Sequence, residues 1–346
     1  MAHRSRLHGG VEVVLCLLLA AAALLAGISL AWQHPLAPVA ALSLFGVCAA
    51  LTGWRPGGGL FFAPAALPLL NFAPWTGWII VEEFDLLLLG VLCGGYLRMA
   101  WEASVQRAPP IESARHRAIY FSAGAAVFVV ASVVAGVRGM VAANASEVPL
   151  SLFQGYIDPL NAWRVFKSVL YAALLWPLLR REVRADSTLA VQRLGWGMVS
   201  GLAVVTLAVL WERLAYTGLW DFSTHYRTTA LFWEMHVGGA AIDVYLVMAT
   251  PFVAWALWTV RAPVWWALLA VLALAVGYAC LTTFARGVFG AVLGSLLLLA
   301  MLLRWRRLST VRLRWRRVAG ALLVLALVVE VLAVLGLGSF MRDRLA

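Results

Sequence analysis

The chain has 346 residues, of which 63% are hydrophobic and only 12% are charged, and its net charge is +11 at neutral pH. A soluble domain of this length carries about twice that charged fraction, and the apolar residues here form runs too long for a soluble core. Polar and apolar residues do not alternate, which excludes a membrane β-barrel. We therefore predict an all-α fold, a polytopic integral membrane helical bundle in which residues 1–346 form a single transmembrane domain.

The apolar runs predict about eleven transmembrane helices of roughly 20 residues each. The first run is long enough to span a bilayer, so we predict a first span rather than a cleaved signal peptide. The third run is interrupted by Pro64, Pro68 and Pro74, which predicts either a kinked span or a re-entrant pair. In chain order the predicted spans cover residues 13–32, 36–53, 60–80, 84–100, 118–137, 165–179, 190–210, 240–260, 264–283, 287–303 and 318–340.

The charge distribution predicts the orientation of these spans. Nineteen of the 27 basic residues fall in cytoplasmic segments if the N-terminus is cytoplasmic, as expected for an inner-membrane protein. This bias explains most of the positive charge, and we predict no nucleic-acid partner. The two long extracytoplasmic loops then cover about 138–164 and 211–239, and Arg164 and Lys167 are predicted interfacial anchors with lipid phosphate as the alternative partner.

Several residue patterns bear on cofactors. The chain has no phosphate-binding glycine loop, no HExxH motif and no CxxC pair, so we predict neither a metal nor another cofactor. The cysteines lie inside apolar runs without disulfide or metal-ligand spacing, which predicts small buried hydrophobic side chains. They are Cys16, Cys48, Cys93 and Cys280.

The loop at 211–239 carries most of the candidate functional residues. Arg213 and Arg227 offer planar guanidinium groups, which bind phosphate in a bidentate manner and stay protonated. His225 and His236 are candidate bases near neutral pH. The alternative is a solvated loop in which charges neutralise their neighbours, and for Arg213, which follows Glu212, we favour this alternative.

Three further charged residues lie in or beside apolar runs. Arg286 sits between two spans with almost no loop, where a charge costs free energy unless it faces a wet cavity or the headgroups. Asp243 and Glu330 are isolated carboxylates in apolar surroundings. Each is either a buried partner for Arg227 or Arg286 or part of a proton relay.

Two stretches resemble the O-antigen ligase/O-antigen polymerase family, bacterial polytopic membrane glycosyltransferases of the C-type fold. The first is Tyr226-Arg-Thr-Thr-Ala-Leu-Phe-Trp-Glu-Met-His-Val-Gly-Gly, followed by Tyr245 and Pro251. The second is Thr282-Thr-Phe-Ala-Arg-Gly, with Ala285 where the family usually has Ser. Together with the spacing of the spans between them, the resemblance covers about 211–303.

The resemblance implies a metal-independent glycosyltransferase at the periplasmic face of the bacterial inner membrane, acting in surface polysaccharide or lipopolysaccharide biosynthesis. Arg227 and Arg286 would bind the diphosphate of a polyprenyl-diphosphate-linked glycan, and a glycan or lipid would be the acceptor. Arg213 is a further candidate for binding the diphosphate because it lies in the same loop, and the family motifs do not include it. Family members continue into a large outer loop with a catalytic His, whereas this sequence ends at Ala346. The resemblance therefore implies either a chain truncated before that loop or another base, with His236 and His225 as substitutes.

Two other function classes are consistent with the composition. A transporter or flippase for a lipid-linked or anionic solute would use the charged residues Arg227, Asp243, Arg286 and Glu330 near the middle of the bilayer. Such proteins tend to contain internal repeats, and the sequence shows none. A scaffold subunit of an envelope complex explains the hydrophobicity, but it gives no reason for outer Arg and His residues in close register.

Overall fold

The computed structural model describes the backbone of residues 2–55, 57–70, 72, 76–78, 80–105, 117–142, 161–222, 226–232 and 240–305. Side chains are described for all of these except 2–9, 117–123, 161, 240, 286, 300 and 302–305. The regular elements in these ranges are all helices, which confirms the all-α prediction. They are α1 (Ala2–Trp32), α2 (Pro38–Trp54), α3 (Gly59–Ala66), α4 (Glu83–Val105), α5 (Arg117–Ala142), α6 (Asn161–Ala185), α7 (Ser187–Tyr216), α8 (Ala240–Thr259), α9 (Pro263–Thr282) and α10 (Arg286–Trp305).

Seven of the described helices are long and apolar enough to cross a membrane, namely α1, α4, α5, α6, α7, α8 and α9. The apolar lengths of α2 and α10 are shorter, and the predicted span at 318–340 lies outside the described residues. The chain is therefore a multi-pass membrane protein. The total of about eleven spans and the cytoplasmic N-terminus stay predictions.

The proline-rich run at 60–80 does not form one continuous spanning helix. Helix α3 ends at Ala66 after eight residues, about 12 Å of helix, whereas the hydrocarbon core is about 30 Å thick. Pro64 lies inside α3, and the described residues between Ala66 and Glu83 are not part of any long helix. Pro68 disfavours the helical conformation of Leu67, the residue that follows the last residue of α3, which explains why the helix stops here.

The helices pack as two compact units. Unit 1 comprises residues 1–63 and 70–193, and unit 2 comprises 64–69 and 194–346. In unit 1, helix α4 is the central element, since it packs against α1, α2 and α6 and is buried along most of its length. In unit 2, α8 packs against α9 and α10, and its core includes Leu202, Val205, Leu246 and Ala249.

Glycines allow α4 to approach α2 closely. A Cβ atom on Gly90 would lie 2.7 Å from the Phe45 carbonyl oxygen, and one on Gly94 would collide with the Ala49 carbonyl oxygen. Close approach through small residues strengthens van der Waals packing between helices in lipid, where the hydrophobic effect does not drive helices together. The sequence Gly90-Val-Leu-Cys-Gly94 therefore sets the distance between α2 and α4.

A buried ion pair joins α4 to α6 in unit 1. The Lys167 ammonium lies 2.8 Å from Asp85 Oδ2 and 3.5 Å from Glu82 Oε1, and it also donates to the Ile80 carbonyl oxygen at 3.0 Å. The prediction that Lys167 is an interfacial anchor is wrong, because its side chain is buried. A buried lysine is paired with a carboxylate because an unpaired charge in apolar surroundings costs free energy.

A second buried carboxylate, Glu83, holds the segment that precedes α4. Its oxygens accept hydrogen bonds from the Thr76 hydroxyl at 3.2 Å and the Phe72 backbone N–H at 3.3 Å. The third donor is His34 Nε2 at 3.2 Å, because His34 Nδ1 already accepts the Ala37 N–H at 3.0 Å. Glu83 thereby ties the end of α1 to the segment before α4.

The glycine contact between α2 and α4 predicts opposite effects for two substitutions. Gly94→Ala is expected to lower the free energy of unfolding by about 1–3 kcal/mol through overpacking. Gly46→Ala, on α2, where a Cβ would meet nothing within 4 Å, is expected to raise it by about 0.5–1 kcal/mol. Thermal unfolding in detergent measures both, and equal effects of the two variants would contradict the close approach.

The buried ion pair predicts a non-additive double-mutant cycle. Lys167→Met leaves Asp85 without its ammonium partner and is expected to cost about 3–5 kcal/mol of unfolding free energy. The double variant Lys167→Met with Asp85→Leu removes both charges and is expected to recover most of that loss. Unfolding of the single and double variants in detergent measures the coupling, and purely additive losses would disprove the pairing.

Candidate anion-binding site

The loop that follows α7 in unit 2 is organised by the carboxylate of Glu212. This side chain is only 6% exposed, and its Oε1 accepts hydrogen bonds from the Tyr226 hydroxyl at 2.6 Å and the Thr229 N–H at 3.2 Å. Its Oε2 accepts the Ala230 N–H at 2.6 Å. Ala230 has a φ of 52°, a left-handed conformation that is unfavourable for alanine and that the hydrogen bond helps to hold. Glu212 thus fixes residues 226–230 against the end of α7.

Tyr226 is a protonated donor in this arrangement. Burial raises the pKa of its hydroxyl, and the hydrogen bond to the Glu212 carboxylate raises the pKa further. The ring stacks on Tyr216, with 5.7 Å between the ring centroids. The hydroxyl therefore stays protonated through the neutral range and continues to donate to Glu212.

Arg213 lies beneath the first part of the same loop. Its side chain is 0% exposed, its Nη2 donates to the Asp221 carbonyl oxygen, and its guanidinium carbon lies 5.0 Å from the centre of the Phe222 ring. Glu212 and Arg213 therefore hold different parts of the loop, which differs from the expectation that they mainly neutralise each other. A role for Arg213 in binding diphosphate stays a prediction, and in this conformation its guanidinium is covered by protein.

Arg227 connects three elements at one end of unit 2. Its Nε donates to the Thr283 carbonyl oxygen at 2.6 Å, and its Nη2 lies 3.1 Å from Asp243 Oδ2 in the first turn of α8. The structure pairs Asp243 with Arg227, one of the two arginines expected as its partner, and the alternative of a proton relay stays a prediction. The Arg227 side chain is 30% exposed, and these two bonds use two of its five N–H groups. The guanidinium is thus oriented by protein contacts while part of it stays accessible.

A threonine pair places the loop beside the turn between α9 and α10. The Thr228 N–H donates to the Thr282 carbonyl oxygen at 3.3 Å, and the two hydroxyl oxygens are 2.8 Å apart. Both residues are fully buried, so these bonds are shielded from water. The turn itself contains Phe284, which has a φ of 51°.

The structure brings Arg227 to the segment that leads into Arg286. Arg286 is the first residue of α10, three residues after the Thr283 carbonyl that Arg227 contacts. The first turn of a helix presents unpaired N–H groups and the positive end of the helix dipole, which favour an anion. The backbone of Arg286 is described and its side chain is not, so its contribution as a diphosphate ligand stays a prediction.

The other predicted site residues fall outside this geometry. His225, His236 and Glu330 lie outside the described residues, so their roles as base or relay stay predictions. Among the residues that are described, no group of three or more His, Cys, Asp or Glu side chains is arranged to hold a metal ion. The four cysteines are buried and free, as predicted.

Sequence reasoning missed the structural residues of the site. Glu212 appeared only as the neighbour of Arg213, and Thr228 and Thr282 were not singled out. A Thr-Thr pair occurs at 228–229 and again at 282–283, close to Arg227 and Arg286, and this repetition could have indicated that the two segments meet. Threonine hydroxyls close to apolar spans require partners, and here they partner each other.

Comparison with protein-family models, with curated proteins and with solved structures returned no match.

The hydrogen bonds of Glu212 predict how the loop responds to substitution. Glu212→Ala removes the acceptor of two backbone N–H groups, so the amides of Thr229 and Ala230 are expected to exchange with solvent deuterium at least about tenfold faster. Tyr226→Phe removes only the side-chain donor and is expected to change this exchange much less. Hydrogen exchange followed by mass spectrometry measures both variants, and unchanged protection in Glu212→Ala would contradict the assignment.

Proposed function

We propose that this chain is a membrane glycosyltransferase at the periplasmic face of the bacterial inner membrane. It transfers a glycan from a polyprenyl-diphosphate carrier to an acceptor in cell-surface polysaccharide biosynthesis. The observation that carries this proposal is the contact of Arg227 with the Thr283 carbonyl, which places one guanidinium beside the turn that leads to Arg286. The Arg227 guanidinium lies beside the turn that leads to the N-terminus of α10, and in this proposal the Arg286 side chain completes a site for a doubly charged anion.

A lipid diphosphate suits this site better than a free phosphate for two reasons. The site lies at the ends of apolar helices, where a polyprenyl chain stays in the bilayer while its headgroup reaches the loop. A diphosphate also offers more oxygen atoms than one guanidinium can bind, so a second arginine adds binding energy.

The proposed reaction is displacement at the anomeric carbon of the glycan. The acceptor hydroxyl attacks this carbon as its proton passes to a base, for which His236 and His225 are the candidates. The bond between the anomeric carbon and the diphosphate oxygen breaks, and polyprenyl diphosphate leaves with the bonding electrons. Arg227 and Arg286 stabilise the charge that develops on the leaving oxygen, so the chemistry requires no nucleotide sugar.

Asp243 orients Arg227 before the substrate arrives. With Nη2 held by Asp243 and Nε held by Thr283, the guanidinium plane is fixed by two elements of the protein. A preorganised donor loses less conformational entropy when the anion binds. In this proposal Asp243 is a positioning residue and does not touch the substrate.

A second candidate function is a transporter or flippase for a lipid-linked or anionic solute. The early end of α3 at Ala66 favours it, since broken helices often line transport pathways. The charge pair Arg227–Asp243 would then alternate between pairing internally and binding the solute.

Substitution of the two arginines tests the enzyme proposal. Arg227→Ala and Arg286→Ala are each expected to reduce glycan transfer by about 100-fold or more, because each removes a donor to the leaving group. Arg138→Ala is the control, since this exposed arginine near the end of α5 belongs to unit 1 and to a different predicted loop. Surface polysaccharide is quantified at matched protein levels, and full activity in both variants would sink the enzyme proposal.

The location of the accumulated lipid-linked glycan separates the two functions. If the chain is the transferase, the variants are expected to accumulate the intermediate on the outer leaflet, where it is accessible to an impermeant carbohydrate-modifying reagent. A failed flippase leaves the intermediate on the inner leaflet, protected from the reagent. The reagent is added to spheroplasts, in which the outer membrane is opened, and protection there at normal levels of the protein would favour the flippase.

A further inference from the structure

Unit 1 contains a cavity of about 330 Å³ where α2 ends and the chain turns into α3. Pockets that bind small ligands begin at about 300 Å³, so the cavity has room for a ligand fragment. Its walls are mostly aromatic and aliphatic, and two of its side chains are basic. The wall includes Leu51, Trp54, Arg55, Phe61, Phe62 and Arg193.

The two arginines of the cavity have different surroundings. Arg55 is exposed, and its guanidinium carbon lies 5.0 Å from the centre of the neighbouring Trp54 ring, a cation–π contact that orients it. Arg193, in α7, is partly buried and lies 3.6 Å from the Glu182 carboxylate. The Glu182 carboxylate balances one of the two guanidinium groups, and the site keeps a positive charge.

Gly57 shapes the wall beside Arg193. Its φ is 77°, and a Cβ atom at this position would collide with Arg193 Nη1 and lie 2.5 Å from Glu182 Oε2. The backbone can therefore turn from α2 to α3 and still leave Arg193 in place only because residue 57 has no side chain.

The location in the membrane selects the ligand. The distribution of basic residues predicts that the end of α2 faces the cytoplasm, where the leaflet is rich in anionic lipids and Trp residues lie at headgroup depth. A soluble anion would gain nothing from the wall formed by Trp54, Phe61 and Phe62, and a zwitterionic lipid would leave the positive charge of the site unbalanced.

We propose that this cavity binds one anionic phospholipid of the cytoplasmic leaflet. Arg55 and Arg193 bind the headgroup phosphate, and the aromatic wall packs against the glycerol and the first methylene groups of the acyl chains. This site lies wholly within unit 1 and does not depend on the glycosyltransferase proposal.

The test uses the purified full-length chain and compares two lipids. Protein in mixed micelles is titrated with phosphatidylglycerol or with phosphatidylcholine, and bound lipid is counted by native mass spectrometry. The double variant Arg55→Ala with Arg193→Ala is expected to weaken phosphatidylglycerol binding by about 25-fold, or about fivefold for each arginine. Phosphatidylcholine binding is expected to stay weak in both proteins.

Two further variants distinguish a site from general attraction to a charged surface. Arg184→Ala removes an exposed arginine at the end of α6 that does not line the cavity, and it is expected to leave phosphatidylglycerol binding within about twofold of the parent. Leu51→Trp fills the cavity without changing any charge and is expected to weaken binding, with thermal unfolding as the check of the fold. A loss in Arg184→Ala equal to that in the double variant, or full binding in Leu51→Trp, would overturn the proposal.

Discussion

The structure depends on one constraint, which is that lipid cannot hydrogen-bond to a peptide group that leaves a helix. Two of the places where the described chain leaves an apolar helix are before α4 and after α7. A buried carboxylate stands at each place, Glu83 for the first and Glu212 for the second. Glu83 accepts one backbone N–H and the Thr76 hydroxyl, whereas Glu212 accepts two backbone N–H groups and the Tyr226 hydroxyl. Acidic residues at these positions therefore replace the water that a soluble loop would use.

The same constraint governs the positive charges. Lys167 and Arg227 lie in different units, and each has a carboxylate from another helix and a backbone carbonyl as partners. A cation that is paired with a carboxylate and a carbonyl oxygen costs less free energy to bury than an unpaired one. The same bonds fix the relative position of the elements that carry these groups. The difference lies in exposure, because Lys167 is buried and Arg227 is partly open. Of these two arrangements, only that of Arg227 leaves donor groups for a ligand.

The sequence predicted the helices well because a spanning helix needs only a long apolar run. The predicted span at 84–100 lies inside α4, and the one at 264–283 matches α9 within one residue at each end. Prediction from the sequence failed for side chains whose burial and pairing depend on residues far away in the chain. The burial of Lys167 cannot be predicted from its neighbours, since its partner Asp85 lies 82 positions away. The same holds for the role of Glu212, whose partners lie between 14 and 18 positions away. An arginine partner for Asp243 was one of two interpretations of a lone carboxylate beside an apolar run, and the sequence did not distinguish Arg227 from Arg286.

The pair formed by Arg227 and Asp243 also bears on how long a ligand stays. Under the proposed function, an incoming diphosphate would not meet a bare cation, since Asp243 already balances part of the charge of Arg227. Binding would therefore compete with an internal partner, which would lower the affinity for substrate and for spent carrier alike. A site that held the diphosphate with unopposed arginines would retain polyprenyl diphosphate after transfer and slow the next cycle. The carboxylate that orients the guanidinium would thus also shorten the residence time of the leaving group, so that the site exchanges its lipid rather than storing it.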